Sequence, residues 1–220
     1  MATIASALQA VKLQMEAIGK GPIRLLAVSK TWPIEAIREA HEAGQNAFGE
    51  SYVQEALGKM KALSDLHLEW HFIGPVQSNK TKLIAEHFDW VQSVDREKIA
   101  KRLSEARPEG MPPLQVCIQV NVSGEDSKSG IEPGKLESLA RYVSSLKGLR
   151  LRGLMAIPEP TEDREMQRMQ FARLRRLKES LVHYNLDTLS MGMSNDFESA
   201  ILEGSTMVRI GSAIFGSRKQ

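Results

Sequence analysis

The chain has 220 residues, 25% charged and 42% hydrophobic. These are the proportions of a folded globular protein; a disordered chain would carry fewer apolar residues and more net charge. Lys plus Arg number 29 against 27 for Asp plus Glu, a formal net charge of +2, so general nucleic-acid or membrane-surface binding is not expected. A single cysteine, Cys117, excludes an intrachain disulfide and a cysteine-built zinc site, and fits a reducing, cytoplasmic home.

No run approaches the roughly 18 consecutive apolar residues of a membrane span. The first twenty residues lack the basic and apolar regions of a secretory signal. Instead Ile4, Leu8, Val11, Met15 and Ile18 recur at intervals of three and four, which predicts an amphipathic helix. A strand follows over residues 23–28, then a helix opened by Pro33 and ended by Gly44. Short strands at 47–48 and 70–73 precede helical stretches over 52–63 and 79–88. Residues 90–94 read as a strand, with Asp95 as N-cap of the next helix. The alternation over 114–122 gives a clear strand, followed by a loop rich in Ser and Gly and a helix after Pro133. Strand 149–157 leads into a long helix over 162–184; strands at 187–190 and 206–210 enclose a last helical segment.

Strands alternating with helices imply a parallel sheet with crossover helices. Eight such units, preceded by one extra N-terminal helix, predict a (β/α)8 TIM barrel as a single domain over residues 1–220. The rival, a doubly wound open sheet, wants a glycine-rich turn after its first strand, where this chain has SKTWP.

Function in such barrels sits at the C-terminal strand ends. Lys30 shares the face of Leu26 and Val28, so it points into the barrel mouth if they fill the barrel. A desolvated lysine there has a depressed pKa and can attack a carbonyl to form a Schiff base. Taken alone, a solvated lysine at a strand end is the simpler reading. Residues 191–196 form a turn opening a helix, where Ser194 and backbone N–H groups favour an anion, although plain helix capping explains them as well. The eighth strand ends in Arg209, Ile210, Gly211 and Ser212, with Arg209 on the face of Gly211. The last two loops are the usual phosphate site of these barrels. An imine-forming lysine with a phosphate site across the same mouth points to pyridoxal 5'-phosphate (PLP).

The stretches LLAVSK (25–30), FGESYVQE (48–55), EWHFIGPVQSNK (69–80), SKSGI (127–131), LRGLMAIP (151–158), SMGMSNDFESAI (190–201) and STMVRIGSAIFG (205–216) resemble the PLP homeostasis protein family, which is similar to the N-terminal barrel of alanine racemase. The resemblance implies a Schiff base of PLP on Lys30, phosphate contacts from Ser194, Gly211 and Ser212, and Arg209 facing the pyridine nitrogen. It also implies a role in vitamin B6 homeostasis, with PLP-dependent apo-enzymes as recipients. Ser51 stands where the family usually has Asn and is expected to reach the cofactor through water. Trp32 stands where a small or basic residue is common, and narrows the entrance.

A carrier is expected more than an enzyme. Arginine only donates, so Arg209 keeps a facing ring nitrogen unprotonated and the ring a weak electron sink. The second base of the racemases, a tyrosine from another domain, has no counterpart here: Tyr52, Tyr142 and Tyr184 all fall in predicted helices, and the sequence ends at Gln220. Absence of that domain favours a monomer. The alternative is a PLP-dependent amino-acid racemase. A nucleotide hydrolase is rejected, because residues 74–81 carry Pro75 and Asn79 where a phosphate-binding loop needs N–H groups and glycine. The basic run Arg164, Arg168, Arg173, Arg175, Arg176 and Lys178 lies beside Glu162, Asp163, Glu165 and Glu179 and reads as a solvated face. His71 is expected near the barrel mouth and Cys117 buried without chemistry.

Overall fold

The computed structural model describes residues 3–19, 21–123 and 129–217. The first helix, α1 (Ile4–Ile18), buries Leu8, Val11 and Met15, three of the five periodic residues; Thr3 caps it by accepting from Ser6 N–H. Eight parallel strands follow: β1 (Arg24–Val28), β2 (Ala47–Glu50), β3 (Glu69–Phe72), β4 (Trp90–Val94), β5 (Leu114–Gln119), β6 (Leu149–Met155), β7 (Thr188–Ser190) and β8 (Met207–Ile210). Each pairs with its sequence neighbour, and β1 closes on β8 with Leu26 opposite Arg209, so the sheet is a closed barrel. Between strands run α2 (Ile34–Glu42), α3 (Val53–Ala62), α4 (Thr81–His87), α5 (Glu97–Ala106), α6 (Leu136–Ser144), α7 (Arg164–Ser180) and α8 (Phe197–Leu202), with a short α9 (Ser212–Phe215) after β8. This is the (β/α)8 TIM barrel that the alternation predicts.

Helices and strands share a core of Ile37, Phe48, Ile84, Leu103, Val143 and Leu174. Inside the barrel lie Trp90, Cys117 and Met155. Cys117 is fully buried, and burial pushes its thiol up to about 12, so it is no thiolate at neutral pH.

Several boundaries differ from the sequence reading for local reasons. Regular pairing of β5 stops at Gln119, since Val120 makes only an isolated bridge to Ile131. Asp95 does not cap α5; its carboxylate is drawn to the Arg96 guanidinium at 2.6 Å, and Arg96 takes the cap position. The long helix ends at Ser180 and continues only as a 3-10 turn over Val182–Tyr184, which Asn185 closes in the left-handed region. In the predicted Ser- and Gly-rich loop, Ser127 and Lys128 of the SKSGI stretch lie outside the described residues.

Candidate functional site at the barrel mouth

A cavity of about 1170 Å³ opens at the C-terminal ends of the strands, and Lys30, Ser51, Ser194, Arg209, Gly211 and Ser212 all line it. Six positions from the ends of β1, β2, β7 and β8 thus converge on one space. Trp32 forms part of its wall and stacks on Phe215 of α9 with ring centroids 5.7 Å apart.

Lys30 occupies the second position of a tight turn in which Trp32 N–H donates to Ser29 C=O at 3.0 Å. Thr31, the third position, has φ of +68°. On the opposite wall, Ser194 Oγ accepts from Ala213 N–H at 3.3 Å, tying the loop after β7 to the first turn of α9. The helix that opens on this space differs from the expected one. α8 starts only at Phe197, and the Asp196 carboxylate already takes the Met193 N–H at 2.6 Å. Ser212, the first residue of α9, lines the cavity instead.

Gly211 tests whether the mouth is shaped for a ligand. Its φ of −117° suits any residue, and a Cβ built on it would meet Val28 only at 3.4 Å. Neither its φ nor its packing therefore demands glycine there, and Gly211 is itself one of the residues that line the cavity. Ser51, Ser194 and Ser212 bring hydroxyls to the space, and Lys30, Arg164 and Arg209 bring cations against the acids Glu162 and Asp196, so it can take an anionic ligand on the side of the hydroxyls.

Arg209 is 4% exposed and heads a continuous chain of hydrogen bonds through the barrel. Its Nη1 donates to Ser190 Oγ at 2.7 Å and its Nη2 to Ala156 C=O at 2.9 Å. Ser190 donates to Gln92 Oε1 at 2.6 Å. Gln92 Nε2 lies 2.8 Å from His71 Nδ1, and His71 Nε2 lies 2.5 Å from Glu69, which pairs with Arg24 at the opposite end. An amide N–H can only donate, so Nδ1 accepts and Nε2 carries the proton toward Glu69. Burial lowers the Arg209 pKa to about 10, against the attraction of Asp196, and the side chain stays cationic at neutral pH. His71 is therefore far from the expected place: it lies deep in the barrel, stacked on Trp90 at 5.1 Å, near the N-terminal strand ends. Sequence reasoning missed Gln92 and Ser190, although polar residues in otherwise apolar strands were the available signal.

This chain sets an acid sensitivity. Burial holds the His71 pKa below its ordinary 6.5 despite Glu69. Burial opposes ionisation of Glu69 too, but the His71 hydrogen bond and the charges of His71 and Arg24 outweigh it and hold Glu69 at about 2, against an ordinary 4.5. Both groups bind more protons in the unfolded chain, so stability falls as pH drops through the ordinary histidine range and again from about 4.5 toward 2. Urea unfolding midpoints measured from neutral pH down to about 3 check this. Glu69→Gln should flatten the lower limb, and an unchanged profile in that variant would contradict the assignment.

The remaining candidates resolve by geometry. Gly74 of the loop-like stretch approaches backbone, not an anion: a Cβ there would lie 2.5 Å from Ser51 O. The basic face of α7 is neutralised partly by α8 and its C-terminal cap, where Arg164 pairs with Glu198 and Arg168 and Arg175 with Glu203, and partly by its own Glu179, which pairs with Arg175. Of the tyrosines, only Tyr142 lies within an α-helix; Tyr52 caps α3 from outside and Tyr184 ends a 3-10 turn.

Residues 6–219 match the family "Alanine racemase, N-terminal domain". A pyridoxal phosphate homeostasis protein of Pseudomonas aeruginosa is 61% identical over 99% of this chain and 97% of its own. One of Vibrio cholerae is 59% identical, over 90% and 87% respectively. The solved structure of PipY from Synechococcus elongatus with PLP bound superposes with a TM-score of 0.87 at 37% identity, covering 97% of this chain and all of that one.

Proposed function

From the premise that the chain belongs to the pyridoxal phosphate homeostasis protein family, whose barrel is the alanine racemase N-terminal domain, we propose that it binds PLP at the barrel mouth through Lys30 and acts as a reversible carrier rather than a catalyst. The observation that carries this reading is the convergence of Lys30, Ser51, Ser194, Arg209, Gly211 and Ser212 on a single cavity. Bound PLP supplies an aldehyde that a lysine amine traps reversibly and a ring that can withdraw electrons. Lys30 provides the amine; Ser194, Ser212 and the Gly211 backbone hold the phosphate; Ser51 reaches the ligand through water. Arg209 donates toward the ring nitrogen and, having no acceptor atom, disfavours a proton on it. The chain through Ser190 and Gln92 fixes that donor orientation.

The carrier reading is supported by the cavity's composition. None of the three tyrosines is among the described residues that line it, which supports a carrier without a tyrosine base opposite Lys30. The whole chain acts as a single domain and as a monomer, with PLP-dependent apo-enzymes as recipients. No helix among the described residues is long and apolar enough to cross a membrane.

Phosphate contacts are expected to dominate affinity, since charge-assisted hydrogen bonds contribute about 1.5–3 kcal/mol each. Pyridoxal, lacking the phosphate, should bind at least tens of times more weakly in a spectral titration, and Ser194→Ala with Ser212→Ala should shrink that gap. Equal affinities for the two ligands would remove the anion site from the account.

A further inference from the structure

Behind the wall that carries Lys30 lies a buried group of charges that plays no part in lining the cavity. Lys59, on α3, is only 6% exposed. Its Nζ donates to Ser29 C=O at 2.8 Å, to Glu50 Oε1 at 2.8 Å and to Glu55 Oε1 at 2.5 Å. Glu55 Oε1 also accepts from Thr31 N–H at 2.6 Å. Glu50, fully buried, accepts from Ser29 Oγ at 2.6 Å, while its Oε2 has no hydrogen-bond partner among the described residues. The two peptide groups flanking the Lys30 Cα are therefore each held from behind, one at Ser29 O and the other at Thr31 N.

What is held is strained. A φ of +68° at a β-branched threonine is a rare conformation, one that persists only where the surroundings impose it. Buried ion clusters are also a poor source of stability compared with apolar packing. The cluster is thus better explained by what it holds than by what it stabilises.

We propose that Glu55, Lys59 and Glu50 are positioning residues, which clamp the Ser29–Thr31 turn in its strained form and so fix the Lys30 amine in the cavity. The proposal rests on the reading of Lys30 as the cofactor lysine. Glu55→Ala removes the acceptor of the Thr31 N–H and lets the turn relax. Glu55→Gln keeps an acceptor oxygen at the same reach. Thr31→Gly accepts positive φ without the clamp.

Two measurements separate this proposal from the reading beneath it. In the protein without PLP, hydrogen exchange at the Thr31 amide should quicken about tenfold or more in Glu55→Ala and stay near wild type in Glu55→Gln. In the loaded protein, loss of the visible band after adding an aldehyde trap should be about tenfold faster in Glu55→Ala. Glu55→Gln should restore the wild-type rate, and adding Thr31→Gly to Glu55→Ala should recover most of it. If Glu55→Ala does not fold, Glu55→Asp keeps the charge but shortens the reach, and must also accelerate both processes. The proposal is overturned if Glu55→Gln behaves like Glu55→Ala, if Thr31→Gly recovers nothing, or if a folded Glu55→Asp protein matches wild type. Failure of the Lys30 reading looks different: wild-type protein would form no reducible adduct at Lys30, while the exchange at Thr31 would still report the clamp.

Discussion

Lys30→Ala is expected to abolish the visible absorption of the PLP-loaded protein and every borohydride-reducible adduct. Lys30 follows β1 in the parity of Leu26 and Val28, lines the cavity, and sits at the apex of a turn held on both sides. Alanine removes the only lysine among the described residues that line that cavity and leaves the hydroxyls and Arg209 in place. PLP should then bind weakly and only non-covalently, seen as binding without a reducible fraction. Chilled borohydride reduction followed by intact-mass analysis measures the loss. A reducible adduct that persists in the variant would move the covalent chemistry to another lysine.

Arg209→Glu is expected to raise α-proton exchange of alanine above the wild-type level when the variant is loaded with PLP. The guanidinium is a fixed cation whose buried N–H groups only donate. A carboxyl in its place favours a proton on a facing ring nitrogen, and so a stronger electron sink. The same replacement breaks two contacts, since Ser190 loses its donor and the Ala156 carbonyl faces a new acceptor. A buried polar group left unpaired costs about 1–3 kcal/mol, so the unfolding midpoint should fall and PLP occupancy must be measured alongside exchange. If wild-type protein already racemises alanine at an enzyme-like rate of about 1 s⁻¹ or more, Arg209 suppresses nothing, and a racemase replaces the carrier.

Much of this arrangement is legible in the sequence. Each strand is a short apolar run followed by a helical period, which yields the barrel. Parity along β1 and β8 then puts Lys30 and Arg209 on the interior face; the register sets Leu26 opposite Arg209, and Lys30 and Arg209 both line the mouth cavity. What parity does not give is which inward residues of distant strands meet. Gln92, Ser190 and His71 come from β4, β7 and β3, and only closure of the barrel joins them. Lys59 was hidden for the opposite reason: a lysine on a helix ordinarily points to water, and here two acids on β2 and α3 bury it. Asp95 and Asp196 show the limit of local capping rules. Asp95 has a competing guanidinium beside it, and Asp196 reaches back to Met193 instead of capping the helix it precedes.

Borohydride reduction of the PLP-loaded wild-type protein, with mass-spectrometric mapping of the modified peptide, identifies the lysine that holds the cofactor. One pyridoxyl-modified lysine per chain is expected, at Lys30, formed with the loss of the visible band. A modification spread over surface lysines, or confined to any lysine other than Lys30, would contradict that assignment.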